Sequence, residues 1–361
     1  VVALRAGLPE RVPAVTVHRN CASGFEAITQ ASDRMAAGHG EVFLVGGSES
    51  MSQIPLLFSQ TAARKFGALT RSKSGWEKLR HLLDFRPSDF KPRVGLQLGL
   101  TDPVCGLNMG ETAEILSREF RISREEQDRL SLLSHQKAAA AGDRLQEEIC
   151  PVLLTGNRNG KKYTDRDNGL RASQSMEALS KLRPVFDRHT GTVTAGNASQ
   201  ITDGAVALLV MTENACEKHG RTPLGRLLGY HYAGCDPARM GLGPVFAVDG
   251  AEKKLGLGLE QADLIEINEA FAAQVLAVIE AAKSDDFCRK HLGRSRAMGE
   301  IPEERLNVNG GAIALGHPVG ATGARLVLTA LKELKRRRAR RALVTLCVGG
   351  GQGAALWLES V

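Results

Sequence analysis

The stretch DLIEINEAFAAQVLAVIEAAK (Asp263 to Lys283) changes periodicity in its middle. Its first residues form a short apolar run that predicts a buried strand. After Asn268, Phe271, Val275, Val278, Ile279 and Ala282 fall on one helical face. Working outward, RALVTLCV (Arg341 to Val348) predicts another buried strand, followed by GGGQG and a last strand, AALWLE. The same grammar occurs in the first half. VHRNCASGFEAI (Val17 to Ile28) reads as a strand, a cysteine and a helix carrying Phe25, Ile28 and Met35; EVFLVGG predicts the next strand. Strand, helix, strand is the order of a crossover unit in a sheet covered by helices. GAVALLVM (Gly204 to Met211) supplies a further strand. The absence of a short tandem repeat makes the pairing of halves an ancient duplication rather than a solenoid. Between them, from about Gln53 to Arg183, lies a less regular segment: a basic amphipathic stretch (Ser72 to Arg93), a long helical pattern, GETAEILSREFRISREEQDRLSLLSHQKAAAA, and the polar loop TGNRNGKKYTDRDNG. It reads as an inserted subdomain.

A chain of 361 residues with 43% hydrophobic content and 39 glycines fits an α/β protein with an ample core. No run approaches the roughly 20 apolar residues that span a bilayer. Seven cysteines are scattered without a C-x-x-C pair, which argues against zinc and iron–sulfur sites and fits a reducing compartment. A net charge of +7 suggests an anionic partner, but 4% aromatic content offers little for stacking bases. A phosphorylated small molecule fits better than nucleic acid. The basic run KELKRRRARR (Lys332 to Arg341) reads as the solvated end of a helix.

Two glycine patterns fail as nucleotide sites. GAIALGHP (Gly311 to Pro318) has His317 where a phosphate-binding Lys would stand, and GGGQGA (Gly349 to Ala354) has no helix or ribose-binding acid after it. Four other positions carry candidate chemistry. Cys21, at a predicted helix N-terminus, faces N–H groups and a dipole that favour a thiolate. His317 sits in a rigid glycine-proline turn, which suits presentation for chemistry. Cys347 ends a strand before three glycines, where backbone N–H groups are exposed. Asn268, taken alone, reads as a helix N-cap.

In chain order, NCASG, NEAFA, GHP and CVGGGQG resemble the nucleophile, asparagine, histidine and second-cysteine motifs of the thiolase family. NMGETAE and FDRHTGTVTAGNASQITDGAVALLV resemble its loop-domain and returning-strand sequences, so the likeness runs over essentially the whole chain. Family members carry several dozen residues before the nucleophile segment. The resemblance therefore implies an amino-terminal half, residues 1–52 and 184–212, that is incomplete at its start. It further implies a loop domain at 53–183, a carboxy-terminal half at 213–361, and a five-layered α-β-α-β-α stack.

The implied reaction is thiolysis of a 3-ketoacyl-CoA by CoA, through an acyl-enzyme on Cys21. His317 is the implied base for Cys21 and Cys347 the second acid/base. Asn268 holds a water which, with His317, serves the enolate; the N–H groups of Cys21 and Gly349 form the other oxyanion site. Met109, Ala270 and Phe271 match positions near the pantetheine tunnel, and Arg226 one near the nucleotide. Val248 stands where some relatives place a Ser, and Glu111 varies between subfamilies. Coenzyme A enters as co-substrate, with no permanently bound cofactor and no metal. A homodimer or dimer of dimers is expected, in the cytoplasm of a bacterium or in the mitochondrial matrix or another reducing organelle of a eukaryote. The basic middle segment is most similar to thiolase subunits of fatty-acid oxidation complexes, which favours β-oxidation over condensation of two acetyl-CoA. It also raises a partner-subunit or membrane contact through Ser72 to Arg93, against a lid over the acyl tunnel. A ketosynthase would carry a second His in place of Cys347, and a noncatalytic acyl-CoA-binding scaffold would not need all four side chains.

Overall fold

A computed structural model describes residues 1–153 and 163–361; most of the polar loop Thr155 to Gly169, up to Lys162, lies outside the described residues. The longer helices, in chain order, are α1 (Ser23–Ala36), α2 (Gln60–Arg71), α3 (Gly75–Leu83), α4 (Met109–Glu119), α5 (Arg124–Ala140), α6 (Gly243–Leu255), α7 (Ala272–Lys283), the short α8 (Ala312–Leu315) and α9 (Val319–Arg337). The strands that matter for the site are β1 (Val42–Ser50), β2 (Asp203–Met211), β3 (Arg226–Gly234), β4 (Leu264–Ile267), β5 (Arg341–Val348) and β6 (Gln352–Glu359).

The second half follows the sequence reading closely. Its sheet has the order β3-β6-β5-β4. Strands β4 and β5 are parallel, with Leu264 opposite Ala342, so α7 to α9 lie on a crossover between them. Strands β5 and β6 form an antiparallel hairpin closed at Gly349 to Gly351. Both are almost wholly buried, which is why they read as continuous apolar runs rather than alternating ones. One face of this sheet is covered by α6 and α7, where Trp357, Val245, Val275 and Val278 pack together. The other face is covered by α1 and α9 through Phe25, Ile28, Leu326, Val327, Leu346 and Leu356.

Helix α9 is thereby sandwiched between two sheets, because its opposite side meets β1 and β2. The approach of α1 to α9 is close enough to demand glycine: a Cβ on Gly24 would lie 2.4 Å from the Ala324 amide nitrogen. The first half departs from expectation. Residues 13–19 form no strand, and β1 pairs antiparallel with β2, Val42 opposite Met211, instead of entering a parallel crossover. The outer face of this pair leaves Val42, Leu44 and Leu209 exposed.

The middle segment contributes α2 to α5. Ser74 and Glu77 cap α3 reciprocally, as do Asn108 and Glu111 for α4 and Ser123 and Glu126 for α5, so three helix starts are set by local sequence. Glu111, whose role was open, is thus a capping residue. Val248 is a buried core side chain of α6. The basic end of α9 is neutralised by carboxylates: Arg336 and Arg337 both reach Glu333, while Arg340 and Arg341 reach Glu359.

Candidate active site

Cys21 occupies a single 3-10 turn (Asn20–Ala22) leading into α1. The turn is held by Ser23, whose hydroxyl donates to the Asn20 carbonyl at 2.7 Å and accepts from the Arg19 amide at 3.0 Å. Asn20 takes a left-handed backbone with φ of 44°, and its side-chain amide donates to the Gly349 carbonyl at 2.7 Å. That bond docks the nucleophile turn on the glycine hairpin. Gly350 and Gly351 have φ of 95° and 78°, a conformation that other residues adopt only with strain. The hairpin thus delivers the backbone N–H of Gly349 to the Cys21 sulfur, which the N–H of Cys21 itself also addresses.

These donors do not make a resting thiolate. Burial raises the Cys21 thiol above its ordinary range more strongly than the two N–H groups lower it, and the charge of Glu49 adds to the rise. The expectation from the helix N-terminus is corrected on this point. Cys347 is 1% exposed at the end of β5, and its thiol is raised well above the ordinary value by burial first and then by Cys21 and Cys235 nearby. Both thiols are therefore neutral at rest. All seven cysteines are free.

His317 follows α8, and its backbone N–H donates to the Thr202 hydroxyl at 3.2 Å. Its ring is oriented from behind. The Thr322 hydroxyl donates to the Pro318 carbonyl at 3.0 Å, so it accepts from His317 Nδ1 at 2.6 Å. This assignment places the proton on Nδ1 and leaves Nε2 as the base, 3.4 Å from Asn268 Nδ2. Burial, with a contribution from the Arg325 charge, pushes the imidazole down to about 4, so it is neutral at physiological pH.

Asn268 is not a helix cap. Helix α7 begins at Ala272, and Asn268 lies just past β4, where its Nδ2 turns to His317 and its buried Oδ1 has no protein partner among the described residues. Glu269, which the sequence reading passed over, fixes this neighbourhood. Its buried carboxyl accepts from Ser134 Oγ at 2.6 Å, Asn307 Nδ2 at 2.8 Å and the Ile313 amide at 3.2 Å, joining β4, α5 and the histidine loop. A carboxyl inside an otherwise apolar segment was the available signal.

Met109, Ala270, Phe271 and Cys347 gather in one apolar cluster with Ala113, Met240 and Phe186. Met109 lies beside the hairpin: a Cβ on Gly349 would come within 3.2 Å of its sulfur. Arg226 is remote from the two thiols. It pairs with Glu359 at the end of β6 opposite Gly353 and Cys347, about 20 Å away at strand rise, and its Nε donates to Glu359 at 2.9 Å.

The family profile described as "Thiolase, N-terminal domain" matches residues 1–214, and "Thiolase, C-terminal domain" matches 221–360. The chain is 41% identical to the human mitochondrial 3-ketoacyl-CoA thiolase over 361 residues, covering 99% of this chain and 81% of the relative. It is 43% identical to an acetyl-CoA acetyltransferase of Pseudomonas aeruginosa over 358 residues, covering 99% and 82%. The crystal structure of human mitochondrial 3-ketoacyl-CoA thiolase in complex with CoA superposes with a TM-score of 0.82 at 39% identity, covering 100% of this chain and 81% of that one.

Proposed function

The chain belongs to the thiolase family, an acyltransferase of the thiolase fold, and on that premise we propose that it cleaves 3-ketoacyl-CoA with CoA in β-oxidation. The observation that carries this reading is that the Cys21 turn, docked on the Gly349 hairpin, packs against both β5, which ends in Cys347, and α9, the helix that follows His317, while both thiols and the imidazole are neutral. Here a thiol waits for its base.

His317 Nε2 takes the Cys21 proton as the sulfur attacks the C3 carbonyl, and the developing oxyanion is met by the N–H groups of Cys21 and Gly349. Collapse breaks the C2–C3 bond. The shortened acyl group stays on Cys21, and the enolate of acetyl-CoA takes the Cys347 proton. The raised Cys347 thiol suits a donor that is still protonated when needed. His317 and a water on the free Asn268 Oδ1 support the enolate. In the second half-reaction Cys347 thiolate takes the proton of incoming CoA, CoA attacks the thioester, and His317 returns its proton to Cys21.

Met109, Ala270 and Phe271 would line the path of the pantetheine arm beside Cys347. A relative named acetyl-CoA acetyltransferase keeps condensation as the runner-up. The test is thiolysis of a 3-ketoacyl-CoA series of increasing chain length. A kcat/KM that rises from the four-carbon substrate to medium or long chains supports degradation. A maximum at acetoacetyl-CoA supports the alternative, and inactivity of folded protein on every member overturns both.

The segment Ser72 to Arg93 supports a peripheral contact with an anionic membrane. Trp76, Leu79, Leu82 and Leu83 are exposed along α3, with Lys73, Lys78, Arg80, Arg86, Lys91 and Arg93 around them. Basic residues near such a surface contribute roughly 1 kcal/mol each.

A further inference from the structure

The Gly349 N–H, one of the two donors that address Cys21, comes from a turn with little of its own to hold it. Strand pairing between β5 and β6 ends at Val348 opposite Gln352, so Gly349 to Gly351 lie beyond the ladder. Gly349 has no side chain to pack; a Cβ there would meet the Met109 sulfur at 3.2 Å and Asn20 Nδ2 at 3.9 Å. The turn is pinned from outside at two carbonyls. That of Gly351 accepts from the Cys235 amide at 2.8 Å, and that of Gly349 accepts from Asn20 Nδ2 at 2.7 Å. No other bond reaches the Gly349 carbonyl among the described residues. The N–H and the carbonyl of one residue are separated only by its φ and ψ, the two soft dihedrals that glycine leaves widest. Pinning the Gly349 carbonyl therefore restrains its N–H.

Docking of the nucleophile turn does not depend on Asn20 alone. Arg19 crosses to the far side of the glycines, where its Nη1 donates to Gln352 Oε1 at 2.8 Å. Its Nε donates to Glu26 at 2.6 Å, and its guanidinium carbon lies 4.1 Å from the centre of the Tyr232 ring on β3. Ser23 closes the turn from within. These contacts hold Cys21 in place and leave the Gly349 carbonyl to Asn20. The left-handed backbone of Asn20, with φ of 44°, is one that Asn adopts more readily than most residues with a Cβ.

We propose that Asn20 is a positioning residue for the oxyanion site: by holding the Gly349 carbonyl it sets the Gly349 N–H where the tetrahedral intermediate on Cys21 places its oxygen. The inference rests on the reading of Cys21 as the acylated nucleophile. Its consequence is selective. Asn20 matters to reactions of Cys21 that develop an oxyanion and not to those that do not. Acetyl transfer from acetyl-CoA belongs to the first kind. The sulfur bonds to the carbonyl carbon as His317 takes the thiol proton, the oxygen becomes an oxyanion, and collapse expels CoA, which leaves with that proton. Alkylation by iodoacetamide belongs to the second. The sulfur bonds to the methylene carbon, iodide leaves, and the carbonyl is untouched. Both reactions use the same thiol and the same base.

The test compares the rates of these two reactions, each followed as the mass adduct on Cys21 after mixing the whole protein with acetyl-CoA or with iodoacetamide. The variants are Asn20→Gly, which keeps the left-handed backbone without strain, and Asn20→Ala, which removes the amide without adding backbone freedom. Loss of one oxyanion donor lowers a rate by roughly 100- to 1,000-fold, and a displaced donor retains part of that effect. Acetylation is therefore expected to slow about 10- to 100-fold in both variants, while alkylation stays within about threefold of wild type. If Asn20→Ala fails to fold, Asn20→Gly carries the test. A parallel fall in both reactions would make Asn20 a docking residue only and overturn the proposal, as would acetylation at the wild-type rate in the folded variants. Wild-type protein that forms no acetyl adduct on Cys21 would remove the underlying assignment of the nucleophile instead, which separates the two failures.

Discussion

The bond from His317 Nδ1 to Thr322 is the most direct place to perturb the site without touching a reacting atom. Thr322→Val is nearly isosteric and deletes the hydroxyl that accepts from Nδ1 together with its bond to the Pro318 carbonyl, which keeps the Ala321 and Thr322 amides as donors. The Thr322 side chain is fully buried and His317 is 6% exposed, so no bulk water can replace the lost partner. Leaving a buried N–H unsatisfied costs about 1–3 kcal/mol, a factor of roughly 5 to 150 in an equilibrium. The imidazole can avoid that cost by moving its proton to Nε2. It would then meet the donor Asn268 Nδ2 and lose the lone pair that accepts the Cys21 proton. The expected result is a kcat for thiolysis reduced about 10- to 100-fold, a KM for the acyl-CoA changed less than about threefold, and a comparable slowing of Cys21 alkylation. Thr322→Ser should recover most of the activity. Wild-type kcat in a folded Thr322→Val enzyme would refute the tautomer assignment and the argument that the ring is set from behind.

The low imidazole value has a consequence for stability. Since His317 is held near 4 in the native state and titrates near 6.5 when unfolded, the unfolded chain binds the proton first as pH falls; this contribution destabilises the fold progressively from about pH 6.5 to pH 4, by up to about 3 kcal/mol, and is absent above that window. Urea midpoints across this range should fall less steeply in His317→Gln, and identical slopes would contradict the buried neutral state. Arg226 is exposed and lies about 20 Å from Cys347 at strand rise, a range fit for the nucleotide end of CoA, so Arg226→Ala should raise the KM for CoA severalfold with kcat little changed; a KM within about twofold of wild type would remove Arg226 from the nucleotide site. Cosedimentation with anionic vesicles should weaken at high salt and be lost when Trp76 and Leu79 are both changed to Ser. Binding indifferent to salt and to the double substitution would remove α3 as the contact.

Much of this arrangement was legible in the chain, and the reasons differ by region. The second half reads clearly because β4, β5 and β6 are buried on both faces and α7 shows a consistent apolar face. The first half reads less well. VHRN has strand-like composition, yet residues 13–19 have no neighbouring strand to pair with, and pairing, not propensity, makes a strand. Cys21, His317, Cys347 and Asn268 were recognisable from their motifs, but their electrostatics were not. A helix N-terminus predicts a depressed thiol, whereas the depth of burial, a tertiary property, decides the opposite direction. Glu269, Thr322 and Asn20 escaped notice because each acts on a partner distant in sequence or through a conformation that composition does not reveal.

The central claim is that Cys21 carries the acyl group and Cys347 handles protons. Intact-mass measurement and peptide mapping after mixing the protein with a 3-ketoacyl-CoA, without free CoA, test it most directly. One acyl group on Cys21 with one equivalent of acetyl-CoA released, no adduct in Cys21→Ala, and acylation of Cys21 from a simple acyl-CoA retained in Cys347→Ala is the predicted result. An acyl group on Cys347 with Cys21 unmodified would contradict it.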